Sequence, residues 1–243
     1  MALCRGNSCF KNVHIAYGLE KRIIRNVSTA KKLVLYGDEA SPPVRFAMMT
    51  ASLLNIDLQF HNIDLFKAEN RSEFYKKINP LQKVPALSVD GHTICDSHAI
   101  ALYFCRNSNN RELYPEATML RTKIDEWMYF DASVLFPIDS AIFSEFFASK
   151  RPADEVKVSR WYSSLDHLEL KISSQQWLTG DELQISVLSF TRFCKLLSSL
   201  EILIPLLERH KNVKEWLRKL KSLSCFEINK RGLKRLQSFV EKQ

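Results

Sequence analysis

Three short stretches in the first hundred residues combine side-chain types and backbone settings that could hold and activate a small ligand. The first is Ser41-Pro42-Pro43. Two prolines suit the first turn of a helix, where a missing N–H costs nothing. Ser41 then stands at the helix start, where the backbone dipole and nearby N–H groups favour negative charge. A thiol held there would be drawn toward its thiolate, and a free thiol titrates near about 8.5, so a modest shift matters at neutral pH. Taken alone, Ser41 reads more readily as an ordinary helix cap.

The second stretch is Val84-Pro85 at the start of an apolar run. Proline cannot donate a ladder bond and is awkward inside a sheet. A cis bond would turn the Val84 backbone outward, free to pair with a peptide-like ligand, whereas a trans edge proline is the commoner use. The third is Asp96-Ser97, again at a predicted helix start. The hydroxyl and the helix N–H groups suit a carboxylate and the acid suits an ammonium, so the pair would hold an amino-acid end. A plain capping pair has the same composition.

The elements that must position these residues follow from the pattern around them. Leu33 to Tyr36 reads as a short buried strand, and a helix runs from Pro42 to about Leu54. Leu58 to Asp64 alternates as a second strand, and Glu73–Ile78 is a short helix. Val84–Val89 and His92–Cys95 flank Asp90-Gly91, a strong hairpin signal. A helix then starts at Asp96-Ser97. This order predicts a four-stranded mixed sheet with helices on both faces. Beyond Tyr114 the apolar period is helical throughout, over 115–148, 153–175, 184–204, 211–221 and 224–241. The expected organisation is a basic, disordered extension over 1–31, an α/β domain over 32–107, a polar linker at Asn107–Arg111 and an all-α domain over 114–243.

Composition narrows the alternatives. The chain has 243 residues, 46% apolar and 26% charged, in the range of ordinary globular proteins. Its net charge of +8 is concentrated at one end. Residues 1–32 hold seven of the 35 basic residues and one of the 27 acids, which leaves the rest at +2. Nucleic-acid binding would want a basic stripe on the folded domain. The basic, acid-poor start also fits an organellar leader. No run of about 18 apolar residues marks a membrane span. The six cysteines form no C-x-x-C pair and no zinc-type cluster with histidine, which argues against a metal site and for a reducing compartment.

Each chemical signal is weak alone; their order is informative. Over residues 32–243 the chain resembles insect delta/epsilon-type glutathione transferases, on Ser41-Pro42-Pro43-Val44-Arg45, Asn79-Pro80, Val84-Pro85-Ala86-Leu87 and Asp96-Ser97-His98-Ala99-Ile100. The resemblance implies a thioredoxin-like N-terminal domain, an all-α C-terminal domain, a cytoplasmic homodimer, and glutathione as co-substrate with no metal. It implies Ser41 as the catalytic hydroxyl, and Asn70, Gln82, Lys83, Val84, Pro85, Asp96, Ser97 and His98 as glutathione-binding residues. Pro42, Leu65, Phe66, Phe136, Phe143 and Phe147 would wall an apolar second site. With Asp64-Leu65-Phe66-Lys67 added, the pattern is most similar to members acting in ecdysteroid biosynthesis, which carry an acid deep in a sterol pocket. Ungapped alignment on Arg121, Lys123 and Phe130 puts Asp139 at that place. A carboxylate in an apolar pocket would bond a sterol hydroxyl, and a solvated helix position is the alternative. Broad detoxification of electrophiles and non-catalytic ligand carriage are the competing functions.

The chain departs from the family twice. Gln82 replaces a histidine expected near the glycyl carboxylate, which would weaken glutathione binding unless Lys83 compensates. Gly180-Asp181 is followed by Gln184-Ile185-Ser186-Val187 in place of a helix-capping box, a loss typically worth about 0.5–2 kcal/mol. A frayed or shifted helix start is expected there, recapped by Asp181. Amide exchange at 184–187 as slow as in the helix middle would refute this.

Overall fold

The computed structural model describes residues 32–149, 151–174, 178, 198 and 202–242. The extension 1–31, Cys194 and the expected helix start at Gln184–Val187 lie outside the described residues. Lys31–Gln243 forms one compact unit.

The first half is a sheet with helices on both faces. Its elements are β1 (Leu33–Gly37), α1 (Pro42–Leu53), β2 (Gln59–Asn62), α2 (Glu73–Ile78), β3 (Ala86–Val89), β4 (His92–Ile94) and α3 (Ser97–Asn107). Strand order is β2-β1-β3-β4; β1 runs parallel to β2, and the pairs β1–β3 and β3–β4 are antiparallel. This is a thioredoxin-like arrangement. Alternation along each strand decides which face each residue covers. Leu35 and Leu87 sink into the main core beneath α1 and α3, while Ala86 joins Ile63 and Tyr75 of α2 in a smaller cluster on the other face. Asp90 and Gly91 both have positive φ, 48° and 80°. That is the backbone of a two-residue hairpin turn matched to strand twist, and it sets the β3–β4 register.

The second half is helical: α4 (Thr118–Phe130), a wide π-type turn over Asp131–Leu135, α5 (Phe136–Ser149), α6 (Glu155–Ser173), α7 (Lys211–Lys221) and α8 (Phe226–Glu241). The sequence predicts one uninterrupted helix over 115–148. The wide turn has a cause in Pro137, which donates no N–H and whose ring crowds the carbonyl one turn earlier. Thr118–Ser149 still forms one 32-residue helical stretch, long and apolar enough to cross a membrane by length and composition. The sequence reading expects no such segment. Three of its apolar side chains, Phe136, Phe143 and Phe147, border the larger cavity described below.

One core joins the two halves, running from Leu35 and Phe46 through Ile124 and Trp127 to Trp161, Trp216 and Leu220. Helix α7 has no cap of its own; Glu169 of α6 accepts from the N–H groups of Asn212 (3.0 Å) and Val213 (2.8 Å). Those N–H groups would otherwise be orphaned at the helix start.

Helix α8 lies back on the first half. At Gly232 a Cβ would come within 2.1 Å of the Glu39 carbonyl and 2.5 Å of Arg45 Cδ. Beneath it the buried Arg45 guanidinium donates to the carbonyls of Glu39 (2.9 Å) and Ala40 (2.8 Å), to Asn229 Oδ1 (2.8 Å) and to the Ser198 hydroxyl. Gly232→Ala should therefore force α8 off this turn at a cost of about 1–3 kcal/mol. The melting temperature should fall by roughly 2–4 °C for each kcal/mol; an unchanged melting temperature would contradict this close docking.

Candidate active site

The turn between β1 and α1 carries Ser41. Its N–H donates to the Asp38 carbonyl (2.9 Å), and its carbonyl accepts from Val44 and Arg45 (both 3.1 Å). The Ser41 hydroxyl makes no capping bond. The sequence reading places this hydroxyl beside free helix N–H groups, and the structure corrects that point. Pro42 and Pro43 have none, and those of Val44 and Arg45 are taken by the Ser41 carbonyl. What remains for an anion is the helix dipole and the hydroxyl itself.

Val84-Pro85 is a cis peptide. The loop before it is set by two asparagines. Asn79, 1% exposed, donates to the Lys83 carbonyl (2.6 Å) and accepts from the Leu81 N–H (3.0 Å). Asn70 donates its amide to the Gln82 carbonyl (2.9 Å), and Gln82 is held at φ +55°. The Asn70 amide thus shapes the loop that presents Gln82 and Lys83.

At the start of α3 the Asp96 carboxylate caps the helix, accepting from the N–H groups of His98 (2.9 Å) and Ala99 (3.0 Å). Ser97 is buried at the next position. The His98 ring, 3.4 Å away, and these N–H groups hold the Asp96 carboxyl down at about 2, so it is anionic at neutral pH. His98 also reaches the buried Asp131 carboxylate, 2.9 Å from Nε2, at the wide turn between α4 and α5. Its ring bridges the two halves of the molecule.

These residues gather in two adjoining cavities. A smaller one of about 160 Å³ is lined by Lys83, Val84, Pro85, Asp96, Ser97 and His98, with Cys95, Pro43, Ala132 and Phe136. A larger one of about 750 Å³ holds Ser41 and Pro42, Asn70, Gln82, Lys83 and Val84, the apolar Leu65, Phe66, Phe136, Phe143 and Phe147, and the carboxylate of Asp139. The two share Pro43, Lys83, Val84 and Phe136. The larger volume is that of a site for a drug-sized molecule. Asp139 is 6% exposed and accepts from the Trp161 indole N–H at 2.6 Å, so it is not a solvated helix residue.

Sequence reasoning missed Arg71 of the loop before α2, and Leu236 and Phe239 of α8, all lining the larger cavity. Arg71 adjoins Asn70 and was within reach. The α8 residues gave only the apolar period of a packed helix. No group of three or more His, Cys, Asp or Glu among the described residues would hold a metal. The described cysteines Cys95, Cys105 and Cys225 are free thiols; burial pushes Cys105 up to about 12 and Cys225 to about 11, which keeps both protonated.

Comparisons with known proteins agree with this geometry. The sequence profile of the glutathione S-transferase N-terminal domain matches residues 35–112. An epsilon-class glutathione S-transferase from the housefly, Musca domestica, superposes with a TM-score of 0.80 at 31% identity, covering 87% of this chain and 98% of that one. A glutathione transferase homologue from Drosophila mojavensis, solved with bound glutathione, gives a TM-score of 0.80 at 27% identity over 87% and 97%. Glutathione S-transferase 1 of Manduca sexta is 28% identical over 203 residues, 80% of this chain and 90% of that protein. The chain belongs to the glutathione S-transferase family, and its structural neighbours include insect epsilon- and delta-class enzymes.

Asp96→Asn keeps a capping side chain and removes the charge. If the carboxylate holds the ligand's ammonium group, the glutathione dissociation constant should rise about tenfold, and the melting temperature should fall as well because the same charge is held by the His98 ring. Unchanged affinity by calorimetry would remove Asp96 from the site.

Proposed function

We propose that this transferase binds glutathione across the smaller cavity, with its thiol at Ser41, and presents it to an apolar partner in the larger one. The supporting observation is the shared wall. Asp96 and Ser97 lie in one cavity, Ser41 in the other, and Val84 borders both. A tripeptide can therefore place its amino-acid end on Asp96 and Ser97, pair its backbone with Val84 and reach Ser41 with its thiol. The Ser41 hydroxyl would donate to the sulfur and hold it as thiolate, the thiol proton leaving to solvent. The thiolate attacks the electrophilic carbon, a C–S bond forms, and the leaving group departs with its electron pair.

The other end of glutathione carries the glycyl carboxylate. Gln82 cannot supply charge to it. Lys83 and Arg71 are the cations bordering the larger cavity on that side, and we assign them the role of counter-ions.

Asp139 favours a sterol over a generic electrophile as partner. Asp139 is buried, is bonded by Trp161 and lines the larger cavity with the phenylalanines, so a ligand hydroxyl there could reach a fixed carboxylate. This is the pattern that resembles Noppera-bo, the insect epsilon-type transferase implicated in ecdysteroid biosynthesis, and we propose the same substrate class. Broad detoxification is the second reading, and it needs nothing of Asp139. Assembly as a cytoplasmic homodimer completes the proposal by analogy with the family.

Ser41→Ala should cut turnover with a generic aromatic electrophile by roughly 10²–10³, the usual effect of removing a donor to a reacting anion. Sterol affinity should stay the same in that variant and fall about tenfold in Asp139→Ala. Full activity in Ser41→Ala would overturn the serine role, and unchanged sterol affinity in Asp139→Ala would leave the detoxification reading.

A further inference from the structure

Ser41, the Leu65–Phe66 wall and the Leu236–Phe239 wall come from three places far apart in the chain, yet one carboxylate ties them together. Asp38 is fully buried. Its Oδ1 accepts from the Ala40 N–H at 2.9 Å, next to Ser41. Its Oδ2 accepts from the Leu65 N–H at 3.0 Å. Arg235 of α8 closes on both oxygens at once, Nε to Oδ1 at 2.6 Å and the terminal nitrogen to Oδ2 at 2.9 Å.

The same guanidinium continues into the wall. It lies 3.3 Å from Asp64, whose carboxylate accepts from the Phe66 and Lys67 N–H groups, and 5.0 Å from the Phe66 ring centre. One turn further along α8, Phe239 stacks on Phe66 with centroids 3.8 Å apart and planes 7° off parallel. Phe239 also packs against Phe147 across the cavity, centroids 6.0 Å apart.

Burial alone would push the Asp38 carboxyl up. Arg235 and the two N–H groups outweigh it, and the group titrates below its ordinary value of 3.8. It is a fixed anion with four donors around it. An asparagine cannot accept all four, and a lysine at 235 cannot span both oxygens.

We propose that Asp38 is the positioning residue of the larger cavity, and that its bidentate pair with Arg235 makes the Phe66–Phe239 stack a fixed wall that sets the size of the apolar partner. This rests on the reading that the larger cavity takes that partner. None of Asp38, Arg235, Phe66 and Phe239 borders the smaller cavity, where the amino-acid end of glutathione is placed, so the effect should fall mainly on the apolar partner.

The test uses the full chain and two variants. Arg235→Lys keeps the charge and loses the fork. Asp38→Asn with Arg235→Gln removes both charges, so no uncompensated carboxylate is left buried to unfold the chain. Two readouts are taken on folded protein: the KM values for glutathione and for a chlorodinitrobenzene electrophile, and the dissociation constant of an anilinonaphthalene sulfonate dye. In both variants the electrophile KM and the dye constant should rise about tenfold, one charge-assisted anchor's worth, while the glutathione KM stays within about twofold. Wild-type electrophile KM and dye affinity in both folded variants would overturn the proposal. So would two KM values that rise in the same ratio, the signature of a general loss of structure. If wild type conjugates nothing yet the variants weaken dye binding, the wall stands and the functional reading falls.

Discussion

The constraint on which the site depends is the docking of the last helix onto the first turn. Arg45, at the base of that turn, is a buried guanidinium held by the Glu39 and Ala40 carbonyls and by Asn229 from α8. A buried cation without such partners would cost several kcal/mol. The turn and the helix therefore specify each other. Gly232 lets the helix axis approach closely enough for this, Asp38 and Arg235 form a second tie, and Glu39 with Arg231 (2.6 and 2.7 Å) a third at the surface. The surface pair adds little energy, as exposed ion pairs do. The Arg45 tie, through the Glu39 and Ala40 carbonyls, holds the turn that carries Ser41.

A second bridge lies at the other end of the site. His98 and Asp131 connect the start of α3 to the wide turn ahead of α5. The turn is caused by Pro137 and brings Asp131 inward, while Phe136, just after it, borders both cavities. The N-terminal half thus supplies most of the polar groups, and the helical half supplies Phe136, Phe143, Phe147 and Phe239 with the buried Asp139. The chemistry follows from this division. In the proposed reading an anionic sulfur would sit near the shared wall, between the smaller cavity for the tripeptide's amino-acid end and the apolar wall of the larger one.

Much of this was legible in the sequence because the polar half is built from punctuation. Pro42-Pro43, Asp90-Gly91 and Asp96-Ser97 fix helix starts and a turn by local chemistry, and candidate site residues stand at the two helix starts. The strands and α1 to α3 fall where the pattern puts them, within a residue or two. Asp139 and its neighbouring phenylalanines came from alignment to a family, and the structure places them in one cavity. The rest was not legible because it depends on pairs distant in sequence. Arg235 and Asp38 are 197 residues apart, and on the sequence Arg231 and Arg235 look like the solvated face of an amphipathic helix. Asn70, expected as a ligand contact and lining the larger cavity, also donates its amide to the Gln82 carbonyl, a role that depends on the fold. The break at Asp131–Leu135 was hidden because an apolar helical period runs through it, although Pro137 marked the place.

The central claim is that Ser41, on the wall of the larger cavity, would hold a bound thiol as thiolate without free helix N–H groups to help it. The direct measurement is an ultraviolet titration of the thiolate band of glutathione bound to the wild-type protein. The bound thiol should titrate at least a full unit below the free value of about 8.5, and the shift should disappear in Ser41→Ala. A bound thiol that titrates as free glutathione does, or a shift that survives in Ser41→Ala, would contradict the account.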